Sequence, residues 1–390
     1  MLSLTQSPLP VALLSTCATL PALALTLPAG VMADKVDRRR ILIVAQAWLA
    51  FVALALAVVT WAGLASPTAL LIASAALGVG SALMSPPWHS LLPDLVSRDQ
   101  TADAVVWNSV AFNLARAAGP ALGGVVIGAF GPATAFFLNA LSFVAVIEVL
   151  RRYAQIRKAS ESVHAARRTE SLRAAALAAF HMTRRSRDLQ RCYAAVAAFG
   201  FATAGVTALL PSFAKHALAT DARGYGIVIG GLGVGAVLGA FVLPRLRAAL
   251  HARTLVASAM ATYGVCLLAL SQARSLALAA VLLVPAGVGW ISSYTTMNAL
   301  VQLSTPAWVK SRVLALYQVA FLAAWSSGAA AAGAIATSAG IEHTVSLFAF
   351  FALFAAAFVA WQGLPAYDTS ARSEPISTPP PAGAAGARAG

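Results

Sequence analysis

Gly78-Val79-Gly80, Val110-Ala111-Phe112, Gly119 and Gly124 recur as Gly287-Val288-Gly289, Val319-Ala320-Phe321, Gly328 and Gly333, always 209 residues further on and without a gap. Gly30 falls on Gly239 by the same offset, so residues 30–124 repeat as residues 239–333. One spacing held across separate segments marks the duplication of a helical unit. Two like-oriented hydrophobic units are a signature of secondary transporters. The fold predicted from this spacing is an all-α membrane protein of two related bundles.

Composition agrees with a lipid-solvated chain. Of 390 residues, 59% are hydrophobic and 10% charged, too few polar groups to cover a soluble surface. Crossing a hydrocarbon core of roughly 30 Å takes about 20 helical residues. Eleven stretches qualify: 8–31, 41–64, 68–92, 104–129, 133–151, 190–214, 224–246, 252–271, 275–300, 312–337 and 342–363. They are long and continuously apolar rather than alternating, which favours helices over a barrel. Moving the span at 190–214 back by the offset puts its partner just upstream of Met1. The expected architecture is therefore five plus six spans, with the first of a usual twelve missing. Residues 1–31 lack the basic start of a signal peptide and have a repeat counterpart at 216–240, so they read as a span. The predicted units are 1–152, an N-terminal bundle of five spans; 153–189, a basic cytoplasmic linker; 190–363, a C-terminal bundle of six spans; and 364–390, a disordered tail rich in Pro, Ala and Gly. Within the linker, 171–180 reads either as an amphipathic helix on the inner leaflet or as a solvated tether.

The net charge of +14 would suggest nucleic acid on a soluble domain, but its distribution argues otherwise. Of 27 Lys and Arg residues, 23 fall in one alternating set of segments, dominated by 32–40 and 151–191; Lys215, Arg223 and Arg274 fall in the other set, and Arg116 lies inside a span. This asymmetry is the positive-inside rule. It predicts a multi-pass protein of the inner (plasma) membrane, N-terminus outside and C-terminus cytoplasmic, with the lipid bilayer rather than nucleic acid as its partner. Cys17, Cys192 and Cys266 have no metal-ligand spacing, His89 and His181 have no partners, and no phosphate-binding loop occurs. No metal, cofactor or enzymatic activity is expected.

Polar groups inside spans seldom face lipid. Arg116 sits near the middle of 104–129, where an ionised Arg costs about 2.5–3.5 kcal/mol on insertion scales. Asn113 and Ser109 share its face, and its repeat partner is Trp325. It reads either as a cavity-lining cation or as a structural Arg bonded to backbone carbonyls. Asn113, Asn139, Tyr294, Asn298, Gln318 and Trp325 are the further candidates for a substrate cavity. Gly119-Pro120-Ala121-Leu122-Gly123-Gly124 carries a proline kink between glycines that permit close packing. Glu148, followed by Arg151 and Arg152, reads as a salt-bridged helix end.

The turn Gly30-Val31-Met32-Ala33-Asp34-Lys35-Val36-Asp37-Arg38-Arg39-Arg40 resembles the signature between the second and third helices of the major facilitator superfamily, with Asp37 in place of a Gly. The runs 27–40, 108–124 and 306–317 are similar to the exporter branch that includes enterobactin exporters and transmembrane secretion effectors. The resemblance implies a monomeric transporter exporting small amphipathic, siderophore-like or drug-like molecules, with protons as the coupling ion. It implies a cytoplasmic latch of Gly30, Asp34, Lys35, Arg38 and Arg39, in which Asp34 meets the N-terminus of the helix opening near Arg312. The string at 119–124 resembles the fifth-helix signature of antiporters. Ser74 stands where drug–proton antiporters carry an Arg, so Arg116 is the cation left to replace it. The alternative reading is a truncated, non-transporting membrane protein or regulatory partner.

Overall fold

A computed structural model describes residues 4, 7–35, 37–91, 101–157, 180–306 and 309–365; for 26–35, 38, 85–86, 89–91, 101–110, 112–114, 116–118, 120–121, 153–157 and 310–311 it describes the backbone alone. The long helices are α1 (Pro8–Lys35), α2 (Arg38–Trp61), α3 (Pro67–Leu91), α4 (Thr101–Arg157), α5 (Arg187–His216), α6 (Ala222–Ala249), α7 (Ala252–Ser271), α8 (Leu276–Leu303), α9 (Lys310–Ala339) and α10 (Ile341–Gln362). Ten helices among the described residues are long and apolar enough to cross a membrane. The 57 residues of α4 are two helices joined across Gly131, whose φ of 82° and ψ of 168° are non-helical. Only glycine adopts that backbone without strain. The break falls between the spans expected at 104–129 and 133–151, so the two limbs of α4 account for both.

Local chemistry sets where the helices begin. An N-cap oxygen satisfies first-turn N–H groups that have no partner within the helix. Asp37 Oδ1 accepts from Arg39 N at 3.0 Å to open α2, and Asp221 Oδ1 accepts from Arg223 N and Gly224 N to open α6. Ser186 and Ser275 cap α5 and α8 in the same way. Large apolar side chains left exposed follow helical stripes, as with Val44, Trp48, Phe51 and Val58 on α2 and Leu347, Phe350, Phe354 and Trp361 on α10. Faces of that composition need lipid as solvent.

The duplication is visible in the packing. α1 lies on α3 as α6 lies on α8, α2 lies on α3 as α7 lies on α8, and α2 lies on α4 as α7 lies on α10. Between the halves, α1 packs on α9 and α6 packs on α4, the same pairing with the roles exchanged. The larger core sits in the second half around Phe199, Tyr263 and Tyr317 and takes in Ala12 of α1. At the end carrying the basic loops, the first half is tied by Arg39, whose Nε donates to Leu150 O at 2.7 Å and whose Nη2 donates to Arg151 O at 3.3 Å. At the opposite end, Arg274 between α7 and α8 grips Glu342 at the start of α10, Nη2 to Oε2 at 2.9 Å. The facing carboxylate raises the Arg274 pKa further above its ordinary value. Glu148 pairs with Arg152 one turn on, at 2.8 Å.

Candidate functional site

Where the two halves meet, small residues allow backbone approach. A Cβ on Gly124 would lie 2.6 Å from Ala222 O of α6, and a Cβ on Gly333 would lie 2.6 Å from Ala12 Cβ of α1. These repeat partners thus perform the same task on opposite sides of the seam. Both lie towards the end away from the basic loops, at the starts of α1 and α6. Gly128, one turn beyond Gly124, is covered by the side chain of Arg223. Deeper in the seam the contact turns polar. Thr16 Oγ1 donates to Ser326 O at 3.0 Å, the hydroxyls of Thr19 and Ser326 pair, and Trp325 Nε1 donates to Ser15 Oγ at 3.2 Å.

From Trp325 a line of rings continues through Phe321 to Tyr294 towards the basic end and then turns back one helical turn to Trp290. Trp325 and Phe321 have centroids 5.6 Å apart, Phe321 and Tyr294 5.0 Å, and Tyr294 stacks on Trp290 at 5.6 Å with 10° between the planes. Offset stacked and tilted pairs at these separations are the favoured aromatic geometries. Tyr294 also donates to Gln318 Oε1 at 2.8 Å, bridging α8 and α9. Helical spacing gives the wall its form, since Gln318, Phe321 and Trp325 lie at i, i+3 and i+7 on α9, while Tyr294, Asn298 and Gln302 lie at i, i+4 and i+8 on α8. Asn298 Oδ1 accepts from Gln302 Nε2 at 2.6 Å. Tyr294, Asn298, Gln318 and Trp325 are half-buried. Ring faces beside an amide and hydroxyls can stack on and hydrogen-bond an amphipathic molecule. Among the described residues no group of three or more His, Cys, Asp or Glu is placed to hold a metal ion.

The structure therefore brings Tyr294, Gln318 and Trp325 together, with Asn298 one turn on from Tyr294. Asn139 stands apart, exposed on the second limb of α4, its carbonyl accepting from Ser142 at 2.7 Å. Asn113, Arg116 and Pro120 lie on α4, and Gly30, Asp34, Lys35 and Arg38 on α1 and α2, but their side-chain surroundings are outside the described residues, as is the segment 171–179. Arg39 is engaged within its own half. Among the described residues Gly119 and Gly123 have nothing within 4 Å of a would-be Cβ, whereas Gly328, the repeat partner of Gly119, would meet Phe201 O of α5 at 2.3 Å. Ser15, Thr16, Thr19, Ser326 and Phe321 belong to the site and were not among the expected residues. Hydroxyls spaced by three or four in α1 were the available signal, a weak one because such hydroxyls readily bond the preceding turn, as Thr19 also does to Ser15 O.

Comparison with known proteins gives this geometry a family. The family model described as transmembrane secretion effector matches residues 1–385. Curated relatives include the Staphyloferrin A transporter of Staphylococcus aureus (strain NCTC 8325 / PS 47), 29% identical over 232 residues, covering 59% of this chain and 57% of the relative. A second is the uncharacterized MFS-type transporter YfiS of Bacillus subtilis (strain 168), 29% identical over 157 residues, 40% of this chain and 36% of the relative. The matched stretches thus span less than two thirds of either relative. Among solved structures, the fold resembles a bacterial homolog of the human lysosomal transporter Spinster, inward-facing and unoccupied (TM-score 0.73, 14% identity, 91% of this chain and 89% of that one). It also resembles a bacterial homologue of the iron transporter ferroportin in an inward-facing state (TM-score 0.72, 16% identity, 91% and 90%). The chain belongs to the transmembrane secretion effector family, a family of membrane transporters rather than enzymes, and its fold is that of the major facilitator transporters.

Proposed function

We propose that this transporter is a proton-coupled exporter of small amphipathic, siderophore-like or drug-like molecules, set in the inner membrane with its basic end in the cytoplasm. The observation that carries the reading is the asymmetry of the seam. The glycine-mediated contacts between the halves described here lie towards the end away from the basic loops, while the wall of Trp325, Phe321, Tyr294 and Gln318 runs from mid-membrane towards the basic end. That is the arrangement of a carrier closed on one side, and rocking of one half against the other would expose the wall to the opposite side. Arg116, the repeat counterpart of Trp325, would supply the cation that meets an anionic group of the substrate or responds to protonation. Asp34 would latch the basic end in the alternate state by meeting the N-terminus of α9, where the N-cap residue Val309 has no side-chain bond to the first turn. The export direction is supported by the string at 119–124, and the siderophore-like substrate class by the Staphyloferrin A transporter.

The test is accumulation of a panel of siderophores and dyes in cells with and without the gene, then with Arg116→Ala in the full-length protein. Lower accumulation with the gene, lost or redirected in Arg116→Ala, is the expected result. Equal accumulation of every compound removes the export reading, and normal export by Arg116→Ala removes the role of that residue. One observation favours the rival reading, a non-transporting membrane protein. Among the described residues, nothing covers the face of α4 around Gly119 and Leu122, the latter 65% exposed, where α5 covers the repeat partner Gly328. Correct insertion without flux of any compound would support that rival.

A further inference from the structure

The second half carries a groove that the transport reading leaves unused. Between the start of α7 and the end of α10, residues including His251, Arg253, Thr254, Ala257, Ala360 and Leu364 line a depression of about 620 Å³. The mouth is cationic, because Arg253 is exposed beside His251 and the connection 245–253 contains three arginines and no acid. Among the described residues no carboxylate lines the depression. The floor is apolar, and the groove borders the face of α10 on which Phe354 and Trp361 are 67% and 80% exposed. A bulky aromatic belt beside cations is the composition of a membrane–water boundary. His251 also makes no side-chain capping bond to the first turn of α7, so that turn adds N–H donors to the same mouth.

The corresponding corner of the first half is closed. There Arg39 spends its guanidinium on Leu150 O and Arg151 O, joining the start of α2 to the end of α4. At the equivalent junction of α7 and α10, no such bond is made by Arg253 among the described residues. Both corners thus carry an arginine, although the offset of 209 sets Ala248 against Arg39 and Val44 against Arg253, and among the described residues only Arg39 is spent on backbone carbonyls.

We propose that this groove holds the phosphate headgroup of an anionic phospholipid from the leaflet at the basic end, with Arg253, His251 and Thr254 on the phosphate and one acyl chain along Ala257 and Ala360. The inference is independent of the substrate and direction of transport. A cation near an anionic surface contributes enough to change affinity about fivefold.

The purified full chain in detergent is exposed to phosphatidylglycerol, phosphatidylcholine or inorganic phosphate, and retained lipid is counted by native mass spectrometry. Phosphatidylglycerol should be retained over phosphatidylcholine. Arg253→Gln should weaken retention about fivefold while Arg253→Lys largely preserves it, and Ala360→Leu should weaken it with every charge in place. Equal retention of the two lipids, or unchanged retention in both Arg253→Gln and Ala360→Leu, overturns the proposal. Displacement of phosphatidylglycerol by inorganic phosphate overturns the lipid assignment in favour of a free-anion site. Should Arg253→Gln fail to fold, Ala360→Leu and the comparison of the two lipids on the unmodified chain decide the matter.

Discussion

Asp37 shows how a departure from a family pattern acquires a physical reason. The pattern has glycine here, yet this carboxylate caps α2 through Arg39 N, and its charge lies 3.9 Å from Arg40 Nε. Asp37→Ala should therefore lower stability by about 0.5–2 kcal/mol, the cost of losing an N-cap, visible as a lower melting temperature with flux per folded molecule unchanged. Asp34→Asn should do the reverse, leaving melting unchanged and reducing flux in vesicles. If both substitutions change only stability, the latch role of Asp34 is lost. An Asp before an apolar helical run is a start signal, but comparison with the family pattern marks Asp37 only as a departure and so passes over the cap. The engagement of Arg39 with two carbonyls was not legible in the sequence, because a basic residue in a short loop is already explained by topology, and nothing in its spacing shows that the end of α4 lies beside it.

At the scale of elements, the offset of 209 located the helices that share a task but not the differences between copies. Gly124 and Gly333 both allow a neighbouring helix to approach. Gly119 and Gly328, matched equally well in sequence, differ in the structure, since among the described residues only Gly328 is covered. The same substitution should then have unequal effects. Gly333→Ala places a methyl in contact with Ala12 and should disfavour closure of the seam by about 1–3 kcal/mol, roughly a 5- to 150-fold shift towards the open state. Gly119→Ala meets no atom of the described residues and should leave the equilibrium in place. Labelling of a seam cysteine by a membrane-impermeant thiol reagent reads both variants. Faster labelling in Gly333→Ala alone is expected, whereas equal effects would mean that Gly119 is covered as well. The break within α4 was legible, because the sequence separates spans on either side of Gly131. The polar seam of Ser15, Thr16 and Thr19 was hidden, as a hydroxyl in a helix does not announce a partner some 300 residues away.

For the whole molecule, the account rests on two bundles of one ancestry that move against each other about a shared seam. The repeated packing of α1 on α3 and α6 on α8, with α1 on α9 answering α6 on α4, is what a duplicated unit should produce. Hydrophobic length and charge asymmetry were sufficient to read the class of protein, since lipid solvation leaves few alternatives to a helical bundle. They carried no information on which end of the seam is closed, because that depends on side chains from helices distant in sequence. The closed end is therefore what a measurement should address. Spin labels on a cysteine-free background at Phe130→Cys and Thr220→Cys would span the seam away from the basic loops, and labels at Arg40→Cys and Leu303→Cys would span the basic end. Pulsed dipolar distances in liposomes, taken across pH and with candidate substrates, should give two populations for each pair, the first short whenever the second is long. A single distance for both pairs under every condition would contradict a rocking carrier.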